Sequence, residues 1–172
     1  MLKYLMHDLT GMIQYVPYGL MLGSVLFLTM LWINKRRQKR GLKPGRWFAA
    51  VCFFTYVGIL VMITYLSRES SGTSRMDWQI GSTLRINARN DAFLFENILL
   101  FMPYGFCLAW YRAWKPVFFK CMGWGFATSL FIEIMQLVTK RGVFQIDDIL
   151  TNTLGCILGG MLFGFFRWCF RK

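Results

Sequence analysis

Residues 47–66 read WFAAVCFFTYVGILVMITYL, twenty consecutive residues without a charge. A helix rises about 1.5 Å per residue, so some twenty apolar residues cross the ~30 Å hydrocarbon core of a bilayer. Charge clusters bound four further windows of the same character, roughly 11–33, 93–111, 117–138 and 149–166. The pattern predicts an all-α, polytopic membrane bundle of about five spanning helices. Composition agrees: of 172 residues, 56% are hydrophobic, 18% aromatic and only 16% charged, with mean hydropathy +0.42. A soluble domain of this size cannot bury that much apolar area. A soluble enzyme, a disordered chain and a collagen-like chain are thereby excluded. The first window follows only Lys3, lacks a small-residue cleavage site and outruns the apolar core of a signal peptide, so it is expected to remain as an anchor.

Charge placement sets the expected orientation. Lys35, Arg36, Arg37, Lys39, Arg40, Lys43 and Arg46 lie between the first two windows with no acid among them. The positive-inside rule makes that loop cytoplasmic. By alternation Arg112, Lys115 and Lys120, and then Arg167, Arg171 and Lys172, fall on the same side, giving thirteen basic residues and no acid there. The expectation is therefore N-terminus out and C-terminus in, within a bacterial cytoplasmic membrane. The net charge of +12 reads as contact with anionic lipid rather than with nucleic acid. The chain divides into a two-helix membrane segment with a basic loop (1–66), an extracytoplasmic loop (67–92), a three-helix region (93–166) and a basic cytoplasmic tail (167–172). The loop opens on a flexible composition over residues 67–74, and Trp78, Ile80, Leu84 and Ile86 suit its second half to the membrane surface.

Small residues suggest where helices meet. Gly155, Gly159, Gly160 and Gly164 form two overlapping small-xxx-small pairs in the last window. Pro17-Tyr18-Gly19 and Pro103-Tyr104-Gly105 repeat in the first and third, where a proline frees an upstream carbonyl. The oligomeric state is open, with packing inside the chain preferred for the glycine face. Cysteines at 52, 107, 121, 156 and 169 show no C-x-x-C pairing and read as small buried hydrophobes. His7 is the sole histidine, so neither a metal nor another cofactor is expected.

Polar residues gather where they are costly. Glu96 and Asn97 lie in the third window; Ser129, Glu133 and Gln136 in the fourth; Arg141, Asp147 and Asp148 precede the fifth, which carries Asn152. At about 100° per residue, Ser129, Glu133 and Gln136 share an arc of roughly 60°, as do Asp148, Asn152, Gly155 and Gly159. Each helix thus carries one polar stripe, at one depth near the outer surface. Glu133 is expected to pair with Arg141, to hydrogen-bond Asn97 or Asn152, or to be protonated. One reading makes the groups interhelical glue, each bond worth about 0.6–2 kcal/mol. The other makes them a ligand site, since an intramembrane ionisable group is costly without a use.

The runs Asn97-Ile-Leu-Leu-Phe101-Met-Pro103-Tyr-Gly105, Ser129-x-x-x-Glu133-x-x-Gln136, and Arg141 followed by Phe144-Gln-Ile-Asp147-Asp148 and Asn152-Thr-Leu-Gly155 resemble the VanZ-like family. The resemblance covers about 65 residues in three ordered blocks. It implies a small polytopic membrane protein, and the family's namesake is associated with resistance to teicoplanin-type lipoglycopeptides. The family pattern has Asp where this chain has Gln145, a departure that weakens a metal-binding reading.

Two functions compete at this level. One is a non-catalytic envelope protein engaging a lipid-linked cell-wall precursor or a lipoglycopeptide at the outer leaflet. Its polar cluster would be Glu96, Asn97, Ser129, Glu133, Gln136, Arg141, Asp147, Asp148 and Asn152, with Pro103, Gly105, Gly155 and Gly159 shaping the helices. The other is an intramembrane enzyme acting on a lipid or peptidoglycan headgroup, with Glu133, Asp147 and Asp148 as catalytic candidates. No nucleophile motif accompanies them, so catalysis is the less favoured expectation.

Overall fold

The computed structural model describes residues 3, 10, 13–41, 46–66, 68, 75–81, 88–113 and 115–170. Its helices are α1 (Val16–Lys39), α2 (Trp47–Val61), α3 (Ala88–Arg112), α4 (Val117–Val138) and α5 (Ile146–Cys169). Among the described residues these five are long and apolar enough to cross a membrane. Large apolar side chains are exposed on the outer faces of the bundle, among them Leu28, Phe119, Trp124, Phe131 and Leu154, as expected where lipid is the solvent. The chain is a multi-pass membrane protein by fold.

Local chemistry explains the helix ends. Pro17 sits in the first turn of α1, where its missing N–H costs nothing, and Arg36, Arg37 and Lys39 in the last turn meet the negative end of the helix dipole. Helix α4 starts directly after Pro116, and Asp147 and Asp148 occupy the first turn of α5, facing its positive end. Both α3 and α5 extend past the windows 93–111 and 149–166, because polar first turns that hydropathy discards are still good helix starts.

Packing is uneven. Helices α3 and α5 make the closest pair: a Cβ on Gly105 would overlap the Cys156 carbonyl, one on Gly155 the Ile98 carbonyl, and one on Gly159 the Met102 carbonyl. The glycine face of α5 is therefore a backbone-to-backbone contact inside the chain. Helix α4 packs on α5 through Gly125 and Gly160, which face Cys156 and Cys121. Leu60, Phe101, Tyr104, Leu108, Ala109, Cys121, Ile132 and Cys156 form the core between them. Helix α1 stands apart and touches α2 through Gly19 against Ile59, Gly23 against Thr55, and Leu22 against Gly58. The two Pro-Tyr-Gly triplets thus serve different neighbours. Helix α3 runs unbroken through Pro103, and the Tyr56 hydroxyl donates to the Leu100 carbonyl near it, at 2.6 Å.

Three features depart from the sequence reading. Cys121 and Cys156 are buried, but Cys52 and Cys107 are half-buried and Cys169 is exposed at the end of α5. The end of α2 widens into a π-helical turn, Met62–Leu66. Residues 75–81 of the long loop form a strand, β1 (Arg75–Asp77), that pairs in parallel with β2 (Val143–Gln145) in the α4–α5 connection. Met76 stands opposite Phe144 in this pairing, and the Trp78 ring packs 5.1 Å from that of Phe144. Ile80 is exposed. Leu84, Ile86, His7 and residues 69–74 lie outside the described residues.

Candidate functional site

The polar end of the bundle is assembled by the turn that closes α4. Lys140 takes the left-handed conformation (φ 57°). The Arg141 N–H returns to the Gln136 carbonyl at 2.9 Å and the Lys140 N–H to the Leu137 carbonyl at 3.2 Å. This pair of bonds satisfies the last carbonyls of α4 and reverses the chain. The reversal lays β2 back beside α4, so that the Gln145 backbone N–H donates to Glu133 Oε2 at 3.0 Å. At the next residue α5 begins, and its first turn carries Asp147 and Asp148, Asp148 within electrostatic reach of the same carboxylate.

Helices α3, α4 and α5 then supply the polar side chains, with Ser129, Glu133 and Gln136 of α4 and Asp147, Asp148 and Asn152 of α5 buried. Asn97 of α3 donates through Nδ2 to Asp148 Oδ1 at 2.9 Å. One turn deeper, Asn152 Nδ2 donates to Ser129 Oγ at 2.9 Å, joining α5 to α4. Gln136 Nε2 donates to the Thr64 carbonyl at 2.7 Å, and Arg141 Nη1 to the Tyr65 carbonyl at 3.4 Å with its guanidinium 5.2 Å from the Tyr65 ring. Both carbonyls belong to the π-helical end of α2, so α2 is tied to α4 and the turn after it by side chains that donate to these carbonyls. Above them, the Gly81 N–H donates to Asp147 Oδ1 at 2.7 Å, which fastens the 75–81 segment across the site.

Burial separates this cluster from an ordinary polar surface. Glu133 is 2% exposed, Gln136 1%, Ser129 0%, Asn152 5% and Asp148 8%. Glu96, next to Asn97 on α3, is also buried. Asp148 repels the Glu133 carboxylate, and Arg68 attracts both. Arg68 Nη1 and Gln136 Oε1 stand 3.1 and 3.2 Å from where a Cβ would project from Gly142. A glycine is what lets the two groups approach that point. Two buried amide oxygens, Gln136 Oε1 and Asn152 Oδ1, accept no hydrogen bond. Among the described residues no group of three His, Cys, Asp or Glu side chains is gathered to hold a metal.

The nine polar residues read from the sequence therefore sit at one end of the bundle, but with different partners from those expected. Glu133 takes a backbone N–H rather than Arg141, Asn97 or Asn152, while Arg141 reaches across to α2. Missed altogether were Arg68, Gly81, Gly142 and the carbonyls of Thr64 and Tyr65. Arg68 sits in a stretch whose composition reads as flexible, and backbone groups carry no residue identity, so neither left a signal in the sequence.

The VanZ/LLP1 family model matches residues 53–167 of this chain, a stretch running from α2 through α5. Protein VanZ of Enterococcus faecium is 32% identical over 72 residues, which is 41% of this chain. The match spans 44% of that protein's length. No solved structure matches the chain.

Proposed function

The chain belongs to the VanZ/LLP1 family, and from that premise we propose that it is an envelope protein of the bacterial cytoplasmic membrane. Its polar cluster engages the headgroup of a lipid-linked envelope component, or a lipoglycopeptide antibiotic, at the outer leaflet. In this way it contributes to teicoplanin-type resistance. One observation carries the reading: buried carboxylates at Glu133 and Asp148 stand close to buried amide oxygens that accept nothing. A buried acceptor left unmade costs about 1–3 kcal/mol. Helix glue gains nothing from such atoms, whereas a ligand rich in N–H and O–H groups recovers that cost on binding. Amino sugars, hydroxyls and ammonium groups have this chemistry, and the lipid-facing flanks of α4 and α5 suit an attached acyl tail.

Glu133→Gln and Asp148→Asn remove negative charge while keeping shape and most hydrogen bonding. Each is expected to abolish binding of the lipid or drug, and any protection of a host in which the native chain protects, with near-normal amounts of folded protein in the membrane. Normal accumulation with unchanged binding and protection would sink the charged-site reading, and poor accumulation would favour structural glue. A second reading, headgroup hydrolysis, draws on the electrostatic proximity of Glu133 to Asp148, which suits one carboxylate as base and the other as acid. A converted lipid product, lost in both variants, would establish it over simple binding.

A further inference from the structure

At the end of the bundle opposite the polar cluster, the start of α2 and the ends of α3 and α5 line an open cavity of about 760 Å³. Its lining combines two cations, Arg46 and Arg167, with an aromatic wall that includes Phe48, Trp110, Phe163 and Phe166. Arg46 Nη1 donates to the Trp110 carbonyl at 3.2 Å, which holds the guanidinium at the rim while spending one of its five donors. The Trp110 and Phe48 rings meet edge to face at 5.7 Å. Among the described residues no acid lines the cavity.

We propose that this cavity is a binding site for one anionic phospholipid, its phosphate set between Arg46 and Arg167 and an acyl chain laid along the aromatic wall. Three observations converge on that occupant. Guanidinium groups match phosphate oxygens in charge and fork geometry. The wall below them is apolar and lies on spanning helices, where acyl chains are the surrounding solvent. The three sequence segments that the positive-inside rule sets on this side hold thirteen basic residues and no acid, a charge that would draw anionic headgroups to it. A zwitterionic lipid would bring, beside its phosphate, a headgroup cation that the two arginines repel, and a free anion would leave the aromatic wall uncovered. The inference concerns a site at the far end from Glu133 and does not depend on what the polar cluster binds.

The test uses the full chain in detergent, with native mass spectrometry against phosphatidylglycerol, phosphatidylcholine and inorganic phosphate. Phosphatidylglycerol is expected to remain bound at least about tenfold more strongly than phosphatidylcholine, and millimolar phosphate is expected not to displace it. In the double variant Arg46→Gln with Arg167→Gln that preference should fall by about tenfold, the scale of two near-surface cations. Lys35→Gln with Lys39→Gln, which removes equal charge outside the cavity, should leave it unchanged. Equal retention of the two lipids by the native chain overturns the proposal without any variant. So does an equal loss in the Lys35 and Lys39 control, displacement by phosphate, or a dimer in place of lipid adducts. If the arginine variant fails to fold, the native chain's lipid preference and the lysine control still decide the matter.

Discussion

Gln136 shows how one residue serves two ends at this site. Its amide nitrogen ties α4 to the Thr64 carbonyl of α2, while its oxygen faces Gly142 with no donor. Ser129 makes the comparison, because it gives Asn152 a partner within the α4–α5 interface and leads nowhere else. Gln136→Leu strands a buried carbonyl, a loss of about 1–3 kcal/mol, and is expected to lower the melting temperature in detergent and to abolish ligand binding. Ser129→Ala strands the buried Asn152 Nδ2 donor, a loss of similar size, and is expected to lower the melting temperature while leaving binding intact. Melting curves and lipid-binding assays on the two variants check both halves; a Ser129 variant as defective in binding as the Gln136 variant would show that the network acts as a single structural unit.

At the scale of elements, the bundle depends on how near α3 and α5 come. Gly105 and Gly159 lie against backbone carbonyls, which cannot rotate out of the way as side chains can. Gly105→Ala and Gly159→Ala are therefore each expected to destabilise the protein by separating the helices. Gly123 of α4 and Gly164 of α5 have no atom within 4 Å of an added Cβ, so alanine there should be neutral or stabilising by about 0.5–1 kcal/mol, since glycine is a poor helix former. Thermal unfolding in detergent distinguishes the two pairs, and like responses from all four would mean that the helices are not held at these contacts. The glycine spacing is legible in the sequence, because a close contact between helices demands small residues at intervals of four. Which glycines meet backbone, which meet cysteines and which meet nothing depends on the rotation of α5, and sequence periodicity does not measure that.

The whole molecule is polarised, with buried acids and amides at one end and arginines over an aromatic cavity at the other. The orientation expected from the basic segments puts the acidic end outside. Single cysteines at Ser71, Gln38 and Lys172 of a cysteine-free chain should label from outside, inside and inside, respectively. External labelling at position 38 would invert the protein and move the polar cluster to the cytoplasmic leaflet. The sequence by itself determined the number of spans, the 117–138 helix to the residue, the crowding of polar groups near one end and the family blocks that run through them. Hydropathy, charge bias and helical phase are local quantities, summed along the chain. Only the tertiary structure decided that Glu133 accepts the Gln145 N–H, that Arg141 serves the π-helical end of α2, that Arg68 faces two carboxylates, and that β1 crosses the loop to pair with β2. Those contacts join residues far apart in the chain, or end on backbone atoms that every residue shares, and three-dimensional packing chooses among equivalent partners by distance.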